Sequence, residues 1–452
     1  MNAQLQSIDP ATGDVVGTVD VTPTSAIADV VARARAAHVG WNARSLDERL
    51  ALMRKASARL AERASDIGLL GTREMGKPLR EMAGEAAGVA DLLLSDLDEM
   101  ATAFADDVQE NERSRTTVYR DGFGVAACIS PWNFPVLMPH TQIIPALAAG
   151  NAVVFKPSER SPLTGAAYAQ CLIDVLPPDV LQIVQGDGEQ GRALVQSDVD
   201  LIVFTGSRAA GVHILQAASG SLKRVILELG GKDPLVVLDD ADLDAAATFA
   251  AGNSFRNAGQ VCVSTERIYV QEGVHDTFVD RLVAVTKKML VGDGKVEGTR
   301  VGPMVDGRQK AHVVAQVDRA VELGATIAYQ GRRNDGNYVS PVVLTNISHD
   351  MPIAMDETFG PVACVIRVHD DAQAVALAND TPYGLGAVVF GAPDRARAVA
   401  RQLTAGMIGV NQGIGSVGST PWVGARQSGH GFHSGMEGHR QFAQVRVLTE
   451  RL

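Results

Sequence analysis

From Gly124 onward the chain repeats one pattern: a short apolar run bounded by glycine or proline, then a stretch long enough for a helix. The runs are 124–129, 152–155, 201–204 and 235–238, and the alternation resumes after Arg267 and continues to about Val389. Continuously apolar runs read as strands buried on both faces, the state of a parallel sheet covered by its crossover helices. The rhythm therefore predicts an α/β protein. The first hundred residues read mostly as helix. Ser45 and Glu48 make a capping box, and Leu46, Leu50, Met53 and Leu60 follow at helical spacing. A glycine pair, Gly230 and Gly231, stands between two of the strand-like runs and suits a hinge between two units.

Length agrees with that division. At roughly 100–200 residues per domain, 452 residues make two or three domains with large cores. The balance of 41 Lys+Arg against 52 Asp+Glu, net −11, contains no basic run that could track a phosphate backbone, which excludes a nucleic-acid partner. The start of the chain shows no basic segment leading into an apolar one. The most apolar stretch, 134–149, is interrupted by Pro135, Pro139, His140, Gln142 and Pro145. A soluble, cytoplasmic protein without membrane contact is expected. Four cysteines, at 128, 171, 262 and 364, have no CxxC spacing, so neither a zinc ribbon nor a disulfide framework is indicated.

The chemistry-bearing residues sit where strand-like runs end. The run 201–204 leads into Thr205-Gly206-Ser207 and then a helix-like stretch, a place for a phosphate at a helix N-terminus or a plain strand-helix turn. The run 152–155 leads into Lys156-Pro-Ser-Glu159, which puts Lys156 and Glu159 at the carboxyl edge of the sheet. Cys128, Cys171 and Cys364 lie in apolar surroundings and read as core filler. Cys262 follows a Gly259-Gln260 turn among polar residues, the setting of an accessible thiolate. Glu228, after an apolar strand and before Leu229 and the glycine pair, reads as a desolvated general base or as a charge paired with Lys232. His430, His433 and His439 share a Gly-rich segment with no adjacent carboxylate or thiol ligand; they read as solvated loop histidines, and no metal site is expected. Two polar strand-like segments, 111–120 and 444–448, suit pairing across a subunit interface or an ordinary edge hairpin.

Taken together, ten segments resemble the NAD(P)-dependent aldehyde dehydrogenases. They are Glu74 to Pro78, Pro131 to Pro135, Pro145 to Asn151, Lys156 to Glu159, Phe204 to Ser207, Glu228 to Lys232, Gly259 to Cys262, Glu357 to Pro361, Asn379 to Leu385, and Pro421 to Gly429. The resemblance spans nearly the whole chain. It implies a Rossmann-like NAD-binding domain over 1–107 and 122–229, an α/β catalytic domain over 230–425, and a small β oligomerisation arm and C-terminal segment over 108–121 and 426–452, in a homodimer or homotetramer. It further implies Cys262 as nucleophile, Glu228 as the base for thioester hydrolysis, and Asn133 in the oxyanion hole. By the same resemblance Trp132, Lys156, Glu159, Gly188, Gly206, Ser207, Glu357 and Phe359 would bind the cofactor. Glu159 would accept a free 2′-hydroxyl and repel a 2′-phosphate, so NAD is expected over NADP, with NADP still possible. The presence of Glu228 favours a free acid over a coenzyme A ester. With Cys262, Glu228, Asn133 and Glu357 all present, a catalytically silent structural protein is disfavoured.

The substrate side departs from the pattern: Arg426 stands where Lys is common, Thr141-Gln142 where a basic residue is frequent, and 431–437 replaces a Gly-Arg-Glu run. Arg256 and Ser416 resemble the residues with which succinate-semialdehyde dehydrogenases bind a substrate carboxylate, while Thr141 replaces their second Arg. Succinate semialdehyde and an aromatic or aliphatic aldehyde are both admissible substrates.

Overall fold

The structure is a computed structural model that describes residues 3–415 and 417–452. Two sheets organise it. The six-stranded sheet runs, edge to edge, Gly429–His430, Arg224–Glu228, Leu201–Thr205, Val125–Ile129, Ala152–Lys156 and Leu181–Ile183, parallel except at the first pair. Its central strands are buried throughout, and alternate residues feed two different cores. Ala126, Cys128, Val153 and Phe155 join helices Leu46–Met75, Leu79–Ala103, Leu137–Ala148 and Pro162–Ile173 on one face. Val125, Ala127, Ile129 and Val154 join Ile27–Asn42, Gly188–Gln196 and Arg208–Ser219 on the other. The seven-stranded sheet runs Thr326–Gln330, Val342–Thr345, Val362–Val368, Thr265–Gln271, Asp233–Val237, Gly386–Phe390 and Met407–Val410, with only the first pair antiparallel. The α/β class and the strand rhythm follow the sequence expectation. A hairpin, Gln4–Ile8 with Val15–Asp20, precedes the expected helices.

The chain passes from one sheet to the other through Gly230 and Gly231, between strands Arg224–Glu228 and Asp233–Val237. A Cβ on Gly231 would lie 2.6 Å from the Cys262 carbonyl oxygen, so glycine is what lets the crossing approach the cysteine loop. The two polar strand-like segments pair with each other: Ala443–Arg451 lies antiparallel to Ser114–Gly122, which also pairs with Asp107–Glu110.

The first glutamate-containing motif proves to be scaffolding. Glu74 is buried, and its carboxylate accepts hydrogen bonds from the Leu163 and Thr164 amides at 3.0 and 2.7 Å, closing the start of helix Pro162–Ile173 from a distance. Lys77, equally buried, bonds Glu85 at 2.6 Å and stands 3.7 Å from the centre of the Phe134 ring. Glu85 in turn accepts from the Val136 and Leu137 amides at 3.0 and 2.9 Å. The start of helix Leu137–Ala148, and with it the loop carrying Asn133, is thereby pinned. Among the described residues no helix is long and apolar enough to cross a membrane.

Candidate active site

In the six-stranded sheet, strand order reverses beside Val125–Ile129: the chain first moves to Ala152–Lys156 and Leu181–Ile183, then crosses back to Leu201–Thr205. A crevice opens at the carboxyl ends of strands flanking such a switch point. Here it is a cleft of about 570 Å³, lined on the sheet side by Pro131, Trp132, Asn133, Gly206 and Ser207 and on the opposite side by Cys262, Glu357 and Phe359.

The cysteine is presented by strained backbone. Asn257, Ala258 and Gly259 occupy three successive left-handed positions, with φ of 48°, 55° and 71°. A Cβ on Gly259 would fall 2.0 Å from the Gly360 carbonyl oxygen, so only glycine fits the last of them. Gln260 locks the turn: its side chain donates to Asn257 O at 3.0 Å and accepts from the Val305 amide at 2.8 Å. Its backbone carbonyl accepts from the Asn133 and Asn257 side-chain amides at 3.0 and 3.2 Å. Asn133 is therefore anchored to the cysteine loop through one N–H, and its amide carries a second. Cys262 is half-buried and borders the cleft, whereas Cys128, Cys171 and Cys364 are buried in the cores. Burial, then the nearby Glu228, Asp233 and Glu357 carboxylates, push the Cys262 thiol up.

Glu228 ends its strand buried, with Oε1 lacking a hydrogen-bond partner. Burial raises its carboxyl well above the ordinary range, and the Trp422 side chain is the one group opposing this. The suspected pairing with Lys232 does not occur. Lys232 bonds Glu266 at 2.5 Å and Thr358 at 3.0 Å instead. Glu357 accepts from the Gly231 amide at 3.1 Å, and burial, reinforced by Glu266, pushes it up to about 8.

The cofactor candidates fall in two groups. Trp132, Gly206, Ser207, Glu357 and Phe359 line the cleft, with Trp132 and Phe359 edge to face at 5.6 Å. A Cβ at Gly206 would overlap the Phe204 ring at 2.4 Å, and Ser207 caps helix Arg208–Ser219 through its Oγ, leaving helix N–H groups facing the switch point. Lys156, Glu159 and Gly188 lie outside that lining, along the next strand end. Lys156 is buried, bonds Pro157 O at 3.1 Å and stands 3.9 Å from Glu159, and the helix beginning at Gly188 packs Gly191 on its stem. A helix N-terminus, two aromatic faces and carboxylates at both ends make a donor and acceptor set that fits a dinucleotide.

Arg256 reaches the cleft but is not unpaired: its Nε lies 3.7 Å from Glu81. Ser416 lies outside the described residues. Thr141 also lines the cleft and donates to Met138 O at 3.0 Å. The histidines require a correction. Only His430 is exposed; His433 and His439 are buried. His433 lines the cleft, stacked on Trp422 with ring centres 6.3 Å apart, and His439 bonds Glu99 at 3.3 Å with Asp96 close by. The carboxylates come from helix Leu79–Ala103, more than 300 residues upstream, where local sequence offers no signal. Trp422 and His433 are cleft residues the sequence reading missed; the apolar and aromatic character of their segment was the only hint.

A family model described as "Aldehyde dehydrogenase family" matches residues 1–448. The glutarate-semialdehyde dehydrogenase of Pseudomonas putida is 37% identical over 446 residues, covering 97% of this chain and 93% of its own length. The mitochondrial succinate-semialdehyde dehydrogenase of Arabidopsis thaliana is 36% identical, over 99% and 86%. The crystal structure of an aldehyde dehydrogenase from Brucella melitensis biovar abortus superposes with a TM-score of 0.95 at 35% identity, covering 99% of this chain and 94% of that one.

Proposed function

The chain belongs to the aldehyde dehydrogenase family and is an enzyme that oxidises aldehydes with NAD(P), and we propose that Cys262, Glu228 and Asn133 carry out the chemistry. The supporting observation is convergence: a strained cysteine loop and an anchored side-chain amide, drawn from both sheets, meet at one cleft, and Glu228, a carboxylate with an unbonded oxygen whose neighbour Leu229 lines that cleft, lies close enough to act on the Cys262 thiol.

Cys262 Sγ adds to the aldehyde carbon, its proton passing to Glu228, whose raised affinity for protons suits it as acceptor. The oxygen of the resulting thiohemiacetal becomes an oxyanion, held by the second N–H of the Asn133 amide and the Cys262 backbone N–H. NAD(P), when bound between Trp132, Ser207, Glu357 and Phe359, supplies the hydride acceptor. Cys262 is then left as a thioester. Once Glu228 has passed the thiol proton to solvent, it takes a proton from water, whose oxygen attacks the thioester carbon; the C–S bond breaks, the Cys262 sulfur recovers a proton from Glu228 and the free acid leaves. Across the strand end, the Glu159 carboxylate favours NAD over NADP through the 2′ position.

The substrate supported best is an aldehyde with a distal carboxylate, as the names of the two relatives say of them, with Arg256 lining the cleft as its partner. A cytoplasmic homo-oligomer is part of the same proposal, supported by the exposed Val445, Val447 and Leu448 on strand Ala443–Arg451. Formation of NADH with a panel of aldehydes, in wild type and Cys262→Ala, tests the mechanism. Turnover is expected only in wild type, with free acid as product and no need for coenzyme A. Equal turnover in the variant would remove Cys262 from the reaction.

A further inference from the structure

The oxidation chemistry makes no use of the carboxylates and imidazoles that gather where the C-terminal segment meets helix Leu79–Ala103. Asp96 and Glu99 stand three positions apart on that helix and so share a face. His439 comes from helix Gly435–Arg440, which packs against it. One oxygen of each carboxylate and one ring nitrogen of His439 all lie within 4.8 Å of one another.

Each carboxylate is held from outside. Asp96 Oδ2 bonds His140 Nε2 at 3.0 Å, and His140 Nδ1 lies 3.3 Å from the Tyr168 hydroxyl. Glu99 Oε1 accepts from Ser419 Oγ, which accepts in turn from the Met436 amide at 2.8 Å. Outer partners of this kind orient metal ligands while leaving their other atoms free. The inner contact is of another sort. His439 Nε2 stands 3.3 Å from Glu99 Oε2, longer than the about 2.7–2.9 Å of a charge-assisted hydrogen bond and close to the about 3.4 Å between two ligand atoms on one tetrahedral ion. Unbonded nitrogens point the same way. His439 Nδ1 and His433 Nε2 are buried without a hydrogen-bond partner among the described residues, and His433 lies near enough for Asp96 and His439 both to act on its ring. Buried ring nitrogens left unbonded cost stability, and beside two carboxylates a cation is the partner that recovers it.

We propose that Asp96, Glu99 and His439 bind a divalent cation of the zinc class, leaving a fourth position beside His433. Mixed nitrogen and oxygen donors suit Zn²⁺, whereas Mg²⁺ and Ca²⁺ take oxygen ligands. The ion ties helix Leu79–Ala103 to the segment that carries Trp422 and His433 to the cleft. Its role is structural, and no step of the oxidation passes through it.

The test is Zn²⁺ binding to protein stripped with EDTA, followed by calorimetry for wild type, Cys262→Ala, Glu99→Gln and His439→Gln. Wild type and Cys262→Ala are each expected to take up one equivalent with equal affinity and to melt at a higher temperature once loaded. Glu99→Gln and His439→Gln, each short of one ligand, should bind at least tenfold more weakly and lose that rise. Circular dichroism and the metal-free melting temperature check the fold of each variant, and Glu99, which is only partly buried, is the ligand whose loss the fold should tolerate. A measurement on wild type stands apart from the variants: Co²⁺ in place of Zn²⁺ should show the visible bands of a four-coordinate nitrogen and oxygen site, without the near-ultraviolet band of a thiolate ligand. Loss of binding in Cys262→Ala, or a thiolate band, would put the ion on the active-site cysteine and overturn the proposal. No uptake by wild type, or undiminished affinity in both ligand variants, would leave only two separate carboxylate–imidazole pairs and overturn it equally.

Discussion

Two buried glutamates, one from each sheet, are treated in opposite ways. Glu266 is saturated: Lys232 reaches it at 2.5 Å, and the Thr358 and Phe359 amides donate to it at 2.8 Å each. Glu228 keeps an oxygen without a partner and no cation beside it. Burial without compensation raises a carboxyl's proton affinity and costs stability, while burial with full compensation fixes backbone. The first arrangement is the one proposed for the chemistry. The second sets the loop that carries Phe359 into the cleft.

Cys262→Ala removes the group both arrangements serve, and turnover should fall on the order of 10⁶-fold, the scale for loss of a covalent nucleophile. Glu228→Gln should lower kcat by about 10²- to 10⁴-fold, the range for a general base. Rapid-quench sampling should then find the acyl group trapped on Cys262, and thermal denaturation should show no loss of stability, since a buried carboxyl with an unbonded oxygen has been replaced by a neutral amide. Glu266→Gln should do the reverse, costing about 3–5 kcal/mol of stability as Lys232 is left buried and unpaired. Its chemistry should suffer mainly through a higher KM for the cofactor; a kcat loss matching that of Glu228→Gln would break the contrast.

The pH dependence separates the two further. Glu228 is raised by burial, so its basic form grows as pH climbs above the ordinary carboxylate range, and kcat should climb with it. The sign for stability is opposite. A carboxyl whose folded pKa lies above its unfolded one contributes stability below the unfolded pKa and loses it as pH rises through the folded value. Glu357, pushed up to about 8, should contribute a loss of the same sign that accumulates from the ordinary carboxylate range up to that pH and levels off above it. A kcat profile of Glu228→Gln that kept the wild-type rise would assign the titration elsewhere. The smallest effect concerns Glu159: Glu159→Gln should shift the kcat/KM ratio toward NADP by about tenfold, the order of one charge contact. Comparable use of both cofactors by wild type would remove that role.

Much of this was legible in the sequence because it is local. The apolar runs forecast the strands, Ser45 and Glu48 form the forecast capping box, and Cys262 was separated from three filler cysteines by its polar neighbours alone. What failed to show was pairing over distance. Lys232, four residues from Glu228, looked like its partner, but adjacent strands and loops carry it to Glu266. His433 and His439 looked solvated because the helix that buries them lies hundreds of residues away. Arg256 looked like a bare cation, and Glu81 changes that from 175 residues upstream.

By itself, then, the sequence determined most of the elements, the order of the strands' chemistry-bearing ends and the candidates for the reacting groups, since periodicity, capping and turn residues act within a few positions. Only the tertiary structure decided the proton affinity and company of each group. Desolvation and Coulomb interaction depend on distance through space, and the chain brings residues together that its own order keeps apart.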